Sequence, residues 1–498
     1  YNIFEVYVQD SWRATDRLTL EGGLRLSYMG AWHERESVGM AVFDPARYDP
    51  NAPASEFPGL TWTARDPSIP TSGIDVKSLF WAPRVGAAYD LFGTGRTLLR
   101  GGFGVFNFHD PQGPYSGFID LPYGVTSTVA SNIRLAEVPG ISPNTQPSVS
   151  GALLITDDLQ PRTRSWSFTV QQRLPFQMLL EAGYVGNKSD RQLTTTDTAQ
   201  INTVPFGAML NDPEGDPNDY RPLRQYGDLP VFRHSLYQNY HALQTLLSRA
   251  SSRFSYTVAY TWSKALGIRG GGAGAQGQVA VLPDDIRGTA YGVLGYDRTH
   301  VLNVGYSYLL PDLENRPLWQ RALLGGWQVT GVSTWISGAP LQPLASTGAN
   351  FGVSGTLENG EEISGPRVIG TNAVAVMPVL TCDPREGVSG DQYVNPNCFA
   401  LPAPGTNGHY IFPTLRGPGY TNHDFALFKN FNFANGRKFQ FRASLTNVFN
   451  HPQRFFDDNV ALNLDYTNGV MTNSQFGILP RDNKYGRRIV QLAFKYYF

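Results

Sequence analysis

No stretch of the sequence approaches the roughly 18 consecutive apolar residues of a membrane-spanning helix, so that class is excluded. Charge is scarce: Asp, Glu, Lys and Arg make up 16% of the 498 residues, against roughly 25% in an ordinary soluble domain. The formal net charge of −1 leaves no overall electrostatic footprint for nucleic acid or for an anionic membrane surface. Catalytic signatures are missing too, with no G-x-S-x-G, H-E-x-x-H or C-x-x-C. The expectation is a protein that is not an enzyme and carries no cofactor.

The 8 histidines are scattered. His241 and His300 begin strand-like runs, while His33, His109, His234, His409, His423 and His451 lie in or beside loops. Each reads as an ordinary rim or loop histidine rather than a metal ligand. Cysteine is limited to Cys382 and Cys398. Zinc sites need further Cys or His at ligand spacing, which are lacking, so a disulfide is favoured. It closes a loop of about 15 residues, worth roughly 3 kcal/mol in the chain-entropy model, and points to an oxidising compartment. The sequence opens on Tyr1-Asn2-Ile3-Phe4, inside an alternating run, with no Met and no signal peptide. A C-terminal fragment of a longer protein is expected.

What the chain has in quantity is aromatic residues, at 13%, and period-2 alternation. Leu18, Leu20, Leu24, Leu26 and Tyr28 fall on one face, with Thr19, Glu21, Gly23, Arg25 and Ser27 on the other. Similar runs cover Phe254–Trp262, Leu302–Leu310, Phe439–Leu445 and Val490–Phe498. Weaker ones lie near Phe4–Trp12, Leu79–Leu91, Leu98–Phe106, Trp166–Leu174, Met178–Tyr184, His241–Arg249, Trp327–Trp335 and Phe425–Phe431. The alternation predicts roughly thirteen strands, each half apolar. A mean hydropathy of −0.27 does not oppose a membrane barrel, in which only alternate residues meet lipid.

Connections alternate in length. Short turns are expected at Arg13–Asp16, Phe92–Gly95, Pro175–Phe176, Ala250–Ser252 and Ala434–Gly436. Between them lie long polar segments without a core pattern: Gly30–Ser78, Phe108–Thr163, Ser189–Asn239, Ala265–Thr299 and Gly338–Asn422. This is the layout of an outer-membrane barrel with long loops outside the cell, and it is unusual in a compact soluble domain. If both terminal strands descend to the short-turn side, the strand count is odd. Bacterial single-chain barrels have even counts, so further strands are expected upstream. The weak pattern at Phe476–Leu479 then belongs to the last loop.

Strand parity sends Glu21, Arg25, Arg84, Arg100, Glu181, Arg442 and Lys495 into the lumen. A lipid-facing Arg or Lys at the midplane costs about 2–4 kcal/mol. Inside, such charges can pair with one another, line a substrate path or, the first choice, contact a plug. Lys429 breaks the rule by sharing a face with Phe425 and Leu427, and snorkelling near a turn is its expected escape. Trp12, Trp81, Trp166, Trp262 and Trp327 are expected in aromatic belts. Gly93-Thr94-Gly95-Arg96 lacks the end of a phosphate loop and reads as a hairpin turn. Asp212, Glu214, Asp216 and Asp219 form an acidic cluster that Pro213 and Pro217 remove from the EF-hand pattern, and the glycine run 270–277 reads as a loop.

Several segments resemble the barrel of the Oar-like TonB-dependent receptors. They include YVQDSWRATDRLTLEGGLRLSY (7–28), WAPRVGAAYDLFGTGRTLLRGGFGVF (81–106), YHALQTLLSR (240–249), YTVAYTWSKAL (256–266), DRTHVLNVGYSYLLP (297–311), GGWQVTGVSTWISGAP (325–340), KFQFRASLTNVFNHP (438–452) and RRIVQLAFKYYF (487–498). The resemblance implies an all-β, antiparallel transmembrane barrel over residues 1–498 in a Gram-negative outer membrane. It also implies ligand capture by outer loops and energised uptake of a bulky solute. The implied partners are outer-membrane lipid, a plug domain of the same full-length chain, a TonB-type energy-transducing protein and the barrel-assembly machinery, with no nucleic acid. Val490, Leu492, Phe494, Tyr496 and Phe498 resemble the signal that the assembly machinery reads. A passive pore or surface adhesin on the same barrel, and a soluble all-β binding module, are the alternatives.

Overall fold

The computed structural model describes residues 1–33, 38–75, 79–109, 149, 151–194, 199–268, 287–288, 291–311, 313, 315–341, 353–408, 415–433, 437–456, 462–482 and 484–498. The turn at 434–436, the glycine run at 270–277 and His409 lie outside the described residues.

One antiparallel sheet of 14 strands dominates, thirteen of them in a single unbroken path. In chain order these are β1 (Ile3–Arg13), β2 (Leu18–Met29), β3 (Leu79–Asp90), β4 (Thr97–Asn107), β5 (Arg162–Leu174), β6 (Met178–Leu193) and β7 (His234–Arg249). They continue as β8 (Phe254–Ile268), β9 (His300–Leu309), β10 (Trp327–Ile336), β11 (Tyr420–Asn432), β12 (Lys438–Thr446) and β13 (Ile489–Tyr497). Each pairs with its sequence neighbour, and among the described residues the path does not close, leaving β1 and β13 as edges. Every strand read from the alternation is present.

The register carries one apolar face across the whole sheet. Phe4 lies opposite Tyr28, which lies opposite Leu79. Phe103 meets Trp166, Leu243 meets Trp262, Val258 meets Val304, and Phe441 meets Phe494. Among the described residues nothing covers this face: Phe4 is 67% exposed, Trp81 60%, Phe168 50% and Leu492 62%. The buried apolar clusters are built from loop residues and, in the smallest, from strand tips. Soluble proteins rarely expose contiguous apolar patches beyond a few hundred Å². The solvent that suits this face is hydrocarbon, where an antiparallel sheet satisfies its backbone groups between strands. Trp12 and Trp327 stand on it at the short-turn end, and Trp81, Trp166, Trp262 and Trp335 toward the long-loop end, as two belts.

One sequence expectation needs correction. Strands β6 and β7 have 16 residues each and β8 has 15, well beyond the roughly 9–11 that cross a bilayer. The loops expected at 189–239 and 265–299 are shorter accordingly. The apolar alternation fades there because Lys188, Asp190 and Lys264 occupy the outward positions. The connection between β9 and β10, on which the alternation is silent, holds a helix, α1 (Leu318–Leu324), too short to show a helical period. Its Trp319 and Leu323 are exposed, and the Trp327 indole donates to the Leu323 carbonyl at 2.7 Å.

The described parts of the long segments, expected to lack a core, form a folded canopy. One module joins Val42–Phe43, Leu60–Thr61, Ala152–Leu154 and Val231–Phe232 in a small sheet. It buries Phe43, Leu60, Tyr226 and Leu229 in one cluster and Met40, Ile69, Leu153 and Phe232 in another. A second module buries Ile369, Val394, Cys398, Leu464 and Phe476. It includes Phe476 and Leu479, so that weak pattern is loop core. These strands are two to four residues long, and their cores join positions far apart in sequence, so periodicity does not reveal them.

Candidate functional site

The inner wall is the face opposite the apolar one. Glu21, Arg25, Arg84, Arg100, Glu181, Arg442 and Lys495 all occupy its register positions. No ion pair joins two of the seven. They divide into separate groups around the wall.

Glu21, Arg84 and Arg100 border one concavity of about 650 Å³ whose floor is Gly23, Gly86, Gly102, Gly104, Ser165 and Ser167. Small residues on neighbouring strands leave the backbone itself as the floor. Gly104 has a local reason: a Cβ there would stand 3.1 Å from the Phe106 ring and 3.5 Å from Arg84 Cγ. Its absence lets the Arg84 guanidinium lie 4.6 Å from the Phe106 ring centroid, a cation–π contact. Arg84 Nε is buried without a hydrogen-bond partner among the described residues.

Arg25 pairs with Glu5 at 3.1 Å, and Ser27 Oγ donates to the same carboxylate at 2.7 Å. Glu5 was not anticipated from the sequence, although the Phe4, Val6, Val8 parity that turns those residues outward turns Glu5 inward. Arg442 donates to Gln440 and, at 3.0 Å, to Tyr497 Oη. Lys495 lies opposite Gln440 in the register, and Glu181 stands apart between Gln171 and Leu246.

Lys429 is 3% exposed on the outward face. Its ammonium donates to the Gly325 carbonyl and sits 5.5 Å from the Trp327 ring and 5.0 Å from the Phe431 ring. A carbonyl at the turn and two aromatic faces thus hold it near the short-turn end.

Three histidines lie on the outward face near the long-loop end, each hydrogen-bonded: His241 with Tyr184 Oη at 2.7 Å, His300 with Tyr260 Oη at 2.8 Å and His423 with Ser333 Oγ at 2.8 Å. His234 is buried instead, and both its amide and Nδ1 meet Asp157 Oδ2, at 2.6 and 2.9 Å. Gly186 belongs to the same rim. A Cβ there would stand 2.5 Å from the Trp166 indole, which lies across it. Gly186→Val should therefore displace Trp166 and cost about 1–3 kcal/mol. An unfolding titration followed by Trp fluorescence checks this, and an unchanged midpoint would refute it.

In the canopy, Cys382 and Cys398 are joined by a disulfide, with Cα atoms 4.9 Å apart. The acidic cluster is used locally: Asp216 caps the 3-10 turn Pro217–Tyr220, Asp212 accepts from Tyr220, and Glu214 pairs with Arg367 at 2.7 Å. Gly93 and Gly95 form the β3–β4 hairpin turn, their amides donating to Asp90 at 3.0 and 2.7 Å. The modules meet where Gly207 N donates to the Ile369 carbonyl at 2.9 Å and Thr371 Oγ1 to the Val204 carbonyl at 2.7 Å.

Asp66 is held down to about 2, first by the Ser68 hydroxyl and then by Arg47. A depressed carboxylate contributes stability that is present above its unfolded value, roughly 3.9, and is lost as pH falls through the folded value. Cleavage within 38–75 by an acid-stable protease should therefore rise between about pH 4 and 2. Asp66→Asn should flatten that part of the profile, and an identical profile in the variant would contradict the assignment.

Comparison with known proteins follows from this geometry. The family profile described as "Outer membrane beta barrel domain" matches residues 1–491. No curated protein matches the chain. Solved structures with a similar fold include the ferric-catecholate import receptor Fiu from E. coli K12 in its closed form, at 12% identity, 99% coverage of this chain, 44% of that chain and a TM-score of 0.41. The outer membrane transporter YddB from Escherichia coli matches at 9%, 99%, 45% and 0.44 on the same measures. The siderophore receptor PirA from Acinetobacter baumannii matches at 10%, 100%, 46% and 0.43. The chain spans less than half the length of these structures.

Proposed function

The chain belongs to the outer membrane β-barrel domain family and is a protein of the outer membrane, and from that premise we propose that it forms the wall of a TonB-dependent receptor for a bulky solute. The observation that carries this reading is the inner wall. It presents Glu21, Arg84 and Arg100 around an open concavity, with no ion-pair partner for any of them among the described residues. Charged groups this close to a low-dielectric wall favour a polar occupant. A plug domain of the same protein is the occupant proposed, contacting also Arg25, Glu181, Arg442 and Lys495. Further strands between β13 and β1 would complete the cylinder, since each edge offers a row of unpaired backbone groups.

In this reading the folded canopy captures the solute outside the cell. A TonB-type protein then draws the plug aside using energy from the inner membrane. The outward row Val490, Leu492, Phe494 and Tyr496, with Phe498 beyond, is the segment offered to the barrel-assembly machinery. Phe494 stacks on Phe439 at 5.8 Å and meets Phe441 at a tilt at 5.2 Å, joining that row to β12.

Conductance and uptake test the proposal on the complete protein. Planar bilayers holding it should remain closed, and uptake of its solute should stop when the TonB-type partner is deleted. Ohmic conductance in the intact protein, with uptake independent of that partner, would replace the receptor by a passive pore.

A further inference from the structure

Above the outer aromatic belt, β5–β8 carry an outward-facing basic arc. Arg164 of β5 lies directly opposite Lys188 of β6, one rung above the Trp166–Gly186 pair. His241 of β7 lies opposite Lys264 of β8, one rung above Leu243 and Trp262. Arg162 stands at the tip of β5. Against these cations the outward faces of the four strands offer one carboxylate, Asp190, which Arg162 and Arg164 already share; Asp297, in the connection after β8, also acts on Lys264 but is itself paired with Arg416. Lys188 is exposed and has no carboxylate partner among the described residues. It leans instead on the Tyr237 ring at 5.6 Å, and Tyr237 sits 5.6 Å from Tyr291. The overall charge of −1 conceals this concentration.

Like charges directly opposite in a sheet are destabilising. The Arg164–Lys188 pair thus calls for an anion beyond Asp190. Its height fixes where that anion comes from. Belt aromatics sit at headgroup level, and each further pair of residues climbs roughly 7 Å along the strand. The cations therefore meet the headgroups of the outer leaflet, with two phenol rings beside them suited to lie against sugar. We propose that this arc is a binding site for a phosphorylated glycolipid of the outer leaflet, its phosphates held by Arg164, Lys188 and Lys264 and its sugar set against Tyr237 and Tyr291. The site needs only the outer-membrane placement and is independent of what the barrel transports.

The test uses the detergent-extracted protein and native mass spectrometry with three probes: bisphosphorylated lipid A, dephosphorylated lipid A and phosphatidylglycerol. Bisphosphorylated lipid A should bind most tightly and weaken as salt rises. At about 1 kcal/mol per basic residue, Lys188→Ala with Lys264→Ala should weaken it about 30-fold. Arg249→Ala, outward at the opposite end of β7, should leave it unchanged. Equal binding of the dephosphorylated lipid, or of the double variant, would overturn the phosphate site. Equal binding of phosphatidylglycerol would overturn the glycolipid assignment. If the double variant fails to fold, Lys188→Gln takes its place. Weaker binding by that variant, with loss at high salt in the unaltered protein, supports the site, and no change in either overturns it.

Discussion

Val258→Arg is expected to lower the stability of the sheet in lipid bilayers by about 2–4 kcal/mol, whereas Thr257→Arg one position away should cost far less. Val258 lies midway between Phe254 and Trp262 on the outward face, opposite Val304 and Leu247. An arginine there has no carboxylate beside it on its own face and must draw water or headgroups toward the midplane. Thr257 faces inward opposite Gly305 and Ser248, where a guanidinium stays hydrated. Reversible urea unfolding from vesicles measures both. Equal penalties would mean that the two faces meet the same solvent, and the membrane reading would fail.

Phe476→Ala should cost about 3–5 kcal/mol, but only in the canopy. Phe476 is 2% exposed and meets Phe399 edge to face at a centroid distance of 5.3 Å. Its cluster draws on residues of the 338–419 and 447–488 connections and holds no residue of the thirteen-strand path. Truncation leaves a cavity in that cluster without touching a pair of the thirteen-strand path. The expected result is faster proteolysis within 353–408 with no change in the heat-modifiable gel shift of the barrel. Simultaneous loss of both signals would show that canopy and sheet fold as one unit.

These two experiments probe the part of the fold that was legible in the sequence and the part that was not. The strands were legible because one solvent, hydrocarbon, imposes the same choice on every second residue. The alternation around Leu20, Val258 and Phe494 is the direct imprint of that choice. Where β6–β8 leave the bilayer the constraint lapses, and Lys188 and Lys264 hide the continuing strand. The canopy was illegible for a different reason. Ile69 and Phe232 share one buried cluster, and Leu60 and Tyr226 another, from segments with no common period, and a two-residue strand leaves no trace.

The inner wall was legible by parity but not by partnership. The seven charged positions follow from counting residues along strands, while the concavity at Arg84 depends on glycines and serines brought together from β2 to β5. Glu5 follows the same parity rule. Its pairing with Arg25 depends on register, which period-2 alternation alone leaves open between adjacent strands.

Site-directed spin labelling along β8 tests the central claim most directly. Single labels at each position from 255 to 261, in the protein reconstituted in vesicles, report collision with oxygen dissolved in hydrocarbon and with a water-soluble nickel reagent. Oxygen access should peak at 256, 258 and 260 and nickel access at 255, 257, 259 and 261. Low access to oxygen at 258, or two profiles that rise and fall together, would contradict it.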